Sequence, residues 1–176
     1  DIDPIPFLQA RASLADVPLQ RLAYAFDFLY ESLQQRIGRF FVTRCPLCDR
    51  AINLKCVLYG AKRRCKCGTK LSIDSTVLRY NADGSTVRIC PECHHIVMGD
   101  SPCECSSSIE KPRLVEKDHK QCSICGNDYE YELELPFYAR YIPLAVVGEC
   151  EEHGLFFKEP KAQDLSLIGQ ADELRD

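Results

Sequence analysis

The chain has 176 residues, 45% of them apolar, with twelve cysteines, no tryptophan and a formal net charge of −4. That length admits one ordinary domain or several small ones, and the longest apolar runs fall far short of the roughly 20 residues that cross a bilayer as a helix. No glycine-rich phosphate loop, nucleophile elbow or His-Glu-x-x-His motif occurs, which argues against the enzyme classes built on them.

In chain order, residues 1–15 carry Pro4 and Pro6 and read as an extended lead with at most one helical turn. From Pro18 to Ile37 the apolar residues Leu19, Leu22, Ala23, Phe26, Leu29, Tyr30, Leu33 and Ile37 follow a helical stripe. Asp16 is the expected N-cap and Gly38 the expected stop. Tyr24 and Phe28 lie off the stripe, so this amphipathic helix is more apolar than one buried face requires. Phe40–Thr43 and Ile52–Tyr59 read as strands, and Gly60–Arg63 as a turn between the second of them and Cys65. Val77–Tyr80 and Thr86–Ile89 flank Asn81-Ala82-Asp83-Gly84-Ser85, a hairpin signal. Ser106–Lys120 is serine-rich, then charged, and reads as a linker. Tyr129, Tyr131, Leu133 and Leu135 alternate with Glu130, Glu132 and Glu134, which predicts a strand with one acidic face. Leu144–Gly148 predicts a strand running to Cys150, and residues 161–176 a short helix or a frayed tail.

Eleven cysteines and one histidine fall into six close doublets: Cys45/Cys48, Cys65/Cys67, Cys90/Cys93, Cys103/Cys105, Cys122/Cys125 and Cys150/His153. A structural zinc takes four thiolate or imidazole ligands at tetrahedral corners, so six doublets predict three zinc ions. A disulfide framework is the rival reading. Framework cysteines are rarely all in tight doublets, and Cys65 and Cys67 are poorly placed to bridge each other. A redox Cys-x-x-Cys would want a βαβ context that is missing. Reduced, metal-bound cysteines predict an intracellular compartment, cytoplasmic or nuclear. A 30–45-residue ribbon cannot build a sufficient core alone, so the metals are expected to nucleate separate lobes.

Cys45-Pro46-Leu47-Cys48, Cys90-Pro91-Glu92-Cys93 and Cys122-Ser123-Ile124-Cys125-Gly126 resemble the ligand turns of the zinc-ribbon superfamily, and Cys65-Lys66-Cys67-Gly68 resembles their shortened form. The resemblance covers roughly residues 39–158. It implies a small, metal-stabilised, β-rich fold: tandem zinc ribbons, each a β-hairpin, behind one amphipathic helix. The expected segments are 1–38 (N-terminal segment and helix), 39–89 (basic ribbon 1), 90–108 (ribbon 2), 109–120 (linker), 121–160 (ribbon 3) and 161–176 (tail). Sequential pairing puts Cys45, Cys48, Cys65 and Cys67 at one ion, Cys90, Cys93, Cys103 and Cys105 at the next, and Cys122, Cys125, Cys150 and His153 at the third. Interleaved pairing would resemble the RING cross-brace and imply a ubiquitin-ligase module. Cys56 is expected as a buried apolar residue, and His94, His95 and His119 as surface residues.

All three inferred sites are filled by protein ligands, whereas a catalytic zinc keeps a position for water. A non-enzymatic interaction or scaffold module is therefore the expected function, with protein partners, as part of a longer polypeptide or larger assembly. The charge distribution offers an alternative. Residues 1–38 are net −2, residues 39–89 net +8 and residues 90–176 net −10, a split that predicts different partners for the two halves. Nucleic acid could meet Lys62, Arg63, Arg64 and Lys66 on the basic first ribbon, with Tyr59 and Tyr80 stacking on bases. Neither a membrane nor a small-molecule substrate is implied.

Overall fold

The computed structural model describes residues 4–99, 101–105 and 111–173. It divides into two compact units, 1–39 and 40–176.

The first unit is helical. Helix α1 spans Pro4–Leu14 where an extended lead was expected. Both prolines lie in its first turn, whose N–H groups have no intrahelical acceptor in any case, so they start the helix instead of breaking it. Helix α2 spans Leu19–Ile37 and begins from Pro18 without a side-chain cap, so Asp16 does not cap it. The Pro18 carbonyl accepts from the Arg21 and Leu22 N–H groups at 2.9 and 3.1 Å. No residue of α2 is buried.

The second unit is β-rich and built around one long strand. Strands β1 (Val42–Arg44), β2 (Ala51–Arg64), β3 (Lys70–Ile73), β7 (Leu114–Glu116), β8 (Glu130–Tyr131), β9 (Tyr141–Cys150) and β10 (Gly154–Lys158) form one sheet. Its main path runs β10-β9-β2-β3-β7, with β1 and β8 also paired to β2. Strands β4 (Val77–Tyr80), β5 (Thr86–Ile89) and β6 (Ile96–Met98) form a second sheet of three. The β4–β5 hairpin closes on 81–85 as its sequence predicts: Asn81 N–H donates to the Ser85 carbonyl at 2.8 Å, and Ser85 N–H to the Asp83 carboxylate at 2.9 Å.

Strand β2 overturns the expected turn at Gly60–Arg63. It runs straight through those residues, because Gly60 is buried inside the sheet and serves close packing. A Cβ there would lie 2.8 Å from Leu144 Cδ1 and 3.2 Å from Leu71 Cβ. Strand β9 pairs antiparallel along β2, from Leu54↔Gly148 to Ala61↔Tyr141. The regions expected as ribbons 1 and 3 therefore share one sheet.

The core lies where the two sheets meet: Leu71, Ile89, Leu114 and Leu144 are buried, with Ile73, Leu78, Ile96 and Ile142 packed on them. Leu114 belongs to the stretch expected as a linker. Residues 106–110 of that stretch lie outside the described residues, but β7 pairs parallel with β3 through Leu71↔Leu114. The acidic strand expected over 129–135 forms only at Glu130–Tyr131, and Leu133 is left exposed. Helix α3 spans Ala162–Glu173. Its first turn is tied down by buried Asp164, which accepts from Thr43 Oγ1 at 2.7 Å and pairs with buried Lys158 Nζ at 2.9 Å.

Candidate metal centres

The ligand turns share a backbone device. After five of the six doublets the next residue takes a positive φ: Asp49 (56°), Gly68 (114°), His94 (66°), Gly126 (69°) and Gly154 (69°). That reversal lets its N–H donate back to the carbonyl of the first ligand, as Asp49 does to Cys45, His94 to Cys90 and Gly126 to Cys122, at 3.0, 3.0 and 2.8 Å. Glycine suits this position because it carries no Cβ. The turn then holds two ligand side chains on one side of a tight loop.

The twelve side chains gather into three groups of four: Cys45, Cys48, Cys150 and His153; Cys65, Cys67, Cys122 and Cys125; and Cys90, Cys93, Cys103 and Cys105. Within each group all ligand atoms lie within 4.8 Å of one another. In the first group Cys48 Sγ lies 3.8 Å from Cys150 Sγ, and His153 Nδ1 lies 3.7 Å from Cys45 Sγ and 3.5 Å from Cys150 Sγ. In the second, Cys65 is 3.4 Å from Cys67 and 3.3 Å from Cys125, and Cys67 is 3.4 Å from Cys122. In the third, Cys90–Cys105 and Cys93–Cys103 are 3.7 and 3.5 Å apart. A tetrahedron with metal–sulfur bonds of about 2.3 Å has an edge of about 3.8 Å, whereas a disulfide bond is about 2.05 Å. The spacing is that of a coordination shell, and all twelve cysteines are free thiols. The three groups can each hold a metal ion.

The third group matches the sequential expectation; the first two do not. Ligand doublets pair one with six, two with five and three with four, a nested order that is neither sequential nor cross-braced. The antiparallel β2–β9 pairing explains this. The knuckle at Cys45/Cys48 precedes β2 and Cys65/Cys67 follows it, so a straight strand of 14 residues separates them by on the order of 40 Å. Running the other way, β9 brings Cys150 and His153 to the start of β2. Strand β8 pairs Arg63↔Tyr131 and Arg64↔Glu130 and brings Cys122 and Cys125 to its end.

Electrostatics around the thiols suits a cation. Cys150 is lowered to about 6 by its hydrogen bond with His153 and by the N–H groups of Glu152 and His153. Cys122 is lowered to about 6 by the N–H groups of Cys125 and Ile124. For Cys90 burial works upward, but the N–H groups of Cys93 and Glu92 outweigh it and bring the thiol to about 7. Their neighbours are pushed the other way: Cys67 reaches about 12 against Cys65 and Cys122, and Cys93 about 12 through burial and its cysteine neighbours. Cys125 is lowered too, through Asn127, so thiols poised to ionise sit beside thiols that resist it, and a coordinated cation would relieve that repulsion.

The surrounding residues brace the knuckles. Arg63, only 3% exposed, donates to the carbonyls of Lys117 and His119 and to Tyr131 Oη at 3.2, 3.3 and 2.8 Å. Its guanidinium also lies 4.7 Å from the Tyr131 ring centroid and 5.8 Å from that of Tyr129. It thereby clamps both flanks of the Cys122/Cys125 knuckle. Arg50 pairs with Glu152 at 2.7 Å and Lys55 with Glu149 at 2.6 Å, joining the two strands near the first group. His94, expected at the surface, is buried against the Pro112 carbonyl at 2.9 Å, because its left-handed φ turns it inward beside the segment 111–114. His95 and His119 are exposed. Cys56, expected as buried, is exposed: a bulge between Leu54 and Cys56 breaks the in–out alternation.

Of the six candidate nucleic-acid contacts, Arg63 is committed internally and Arg64 pairs with Glu134 at 2.8 Å and Glu132 at 3.6 Å. Lys66, Tyr59 and Tyr80 are exposed and Lys62 is half-buried. The basic 39–89 region and the acidic C-terminal half thus answer each other within one sheet. Arg63 as a clamp was not legible from the sequence, since a Lys-Arg-Arg run reads as a solvated face; the one available signal was the pair of tyrosines at 129 and 131.

No known family model matches the chain, and no curated protein or solved structure matches it at a significant level. Among the described residues no helix is long and apolar enough to cross a membrane.

Proposed function

We propose that the chain is a zinc-binding, non-enzymatic interaction module of an intracellular assembly, in which three ions hold a β-rich platform together. The observation that carries this reading is that each group supplies four protein ligands at tetrahedral spacing. Sulfur-rich tetrahedral sets favour zinc over harder cations. A shell filled by side chains leaves no position for water or substrate, which is the mark of a structural zinc. Thiolate ligation also fits a reducing compartment. The ions take on work that a small core cannot do, since few large side chains of the second unit are fully buried.

Native mass spectrometry is expected to find three zinc ions per chain. Cobalt substituted for zinc is expected to show the intense visible bands of tetrahedral thiolate ligation, unchanged by azide. Weak octahedral bands, or bands that shift with azide, would overturn the closed-site reading.

A further inference from the structure

The apolar stripe of α2 carries a more specific inference than the sequence stripe alone. Leu19, Leu22, Phe26, Leu29 and Leu33 are spaced by 3, 4, 3 and 4 residues, the a/d seam of a coiled coil. All five are exposed, from 81% at Leu19 to 44% at Leu33. The flanking e and g positions inside the helix are Ala23, Ala25, Tyr30, Ser32 and Ile37, so no charge borders the seam. The charged residues Arg21, Asp27 and Glu31 fall at c, b and f, away from it, and with Arg36 they sum to zero.

We infer that α2 pairs antiparallel with α2 of a second copy of this chain. The next d position after Leu33 is Arg36. A parallel pair would set Arg36 against Arg36 in the seam. In an antiparallel pair Leu22 meets Leu33, Phe26 meets Leu29, and Arg36 lies over Leu19, where its aliphatic stem covers the leucine and its charge reaches water. The same register sets small Ala23 opposite Tyr30, which makes room for the Tyr30 ring; that ring is already held near Phe26, centroids 6.4 Å apart and 13° from parallel. Leu19, Leu22, Phe26, Leu29, Tyr30, Leu33 and Ile37, at roughly 100 Å² apiece over two copies, cover on the order of 1,400 Å², which is within the range of stable interfaces. A foreign partner bound through charge would want a net sign on this helix, and it has none. The pairing goes beyond the metal-held module proposed above and does not depend on it.

Light scattering on the full chain at tens of micromolar is expected to give a dimer, twice the 20.0 kDa chain mass. Leu22→Glu is expected to raise the dimer dissociation constant about 100-fold or more, since it brings two carboxylates into an apolar seam. No residue of α2 is buried, so the variant should keep the wild-type metal content, read by native mass spectrometry on the same samples. Leu19→Lys should weaken the dimer by facing Arg36, and adding Arg36→Glu should restore it. A monomeric wild type, or a dimer indifferent to Leu22→Glu, would overturn self-pairing. Failure of Arg36→Glu to rescue Leu19→Lys would overturn the antiparallel arrangement. Should Leu22→Glu lose metal together with the dimer, the variant has unfolded, and Leu19→Lys with its Arg36→Glu rescue decides the pairing.

Discussion

The Cys90 group and the other two groups are built from the same knuckles but closed by different means. The first is local. Cys90 and Cys105 are 15 residues apart, the knuckle at 90–93 forms the bend between β5 and β6, and Arg88 holds the returning segment through the Gly99 and Ser101 carbonyls at 3.1 Å each. The others are remote: Cys45 and His153 are 108 residues apart, Cys65 and Cys125 60 apart. Loop-closure entropy grows only slowly with length, so a long-range site is affordable once strands have aligned its halves. Here β9 aligns the Cys45 group at the start of β2 and β8 aligns the Cys65 group at its end, and an ion in each would fasten the segments it joins.

The largest effects should come from breaking this contrast at its ligands. Cys45→Ser is expected to lose one ion and to loosen the β2–β9 end that carries Cys150 and His153, a loss of several kcal/mol given the folding energy a structural zinc supplies. Cys103→Ser should lose one ion and leave β2–β9 intact. Hydrogen exchange of β9 amides separates the two outcomes; equal protection in both variants would contradict the nested scheme.

Next in size is the buried pair on α3. Asp164→Asn should cost about 3 kcal/mol by leaving Lys158 buried and unpaired. Burial works to raise the Asp164 pKa, but Lys158, Thr43 and the Lys161 N–H outweigh it and hold it below the ordinary aspartate value. Its stabilisation is therefore fully present above about pH 4, and is lost only as the pH falls through the depressed value. The Tm difference between variant and wild type should stay constant from neutrality down to mildly acidic pH, and a difference that shrinks there would count against the pair.

A finer contrast lies between adjacent arginines. Arg63→Ala should cost about 2–3 kcal/mol, since it strips charged hydrogen bonds from two carbonyls and a phenol, whereas Arg64→Ala should cost about 1 kcal/mol, because its guanidinium and Glu134 are exposed and its pair with the more buried Glu132 is long, at 3.6 Å. Chemical denaturation of both variants checks the order. Gly60→Ala is expected to cost about 1–3 kcal/mol by forcing Leu144 aside, and an unchanged midpoint would mean that β2 and β9 pack less closely there.

Much of the site was legible in the sequence and much of its assembly was not. Doublet spacing is a local property, written into turns of a few residues, and so the twelve ligand positions, the β4–β5 hairpin and α2 could all be read directly. Which doublets meet depends on whether the chain turns at Gly60, and a glycine that permits a turn looks the same in sequence as one that permits close packing. The charge polarity has a partner inside the chain that the sequence does not show: of the eleven basic residues at 39–89, Arg50, Lys55 and Arg64 meet Glu152, Glu149, Glu132 and Glu134. Leu114 and Val115 were too short an apolar run to stand out from the charged stretch around them, although β7 pairs them with β3.

The nested pairing is tested most directly by replacing zinc with cadmium-113 and recording which ligand protons couple to which metal resonance. Protons of Cys45, Cys48, Cys150 and His153 should share one resonance, and those of Cys65, Cys67, Cys122 and Cys125 a second. A single resonance joining Cys45 and Cys48 to Cys65 and Cys67 would contradict it.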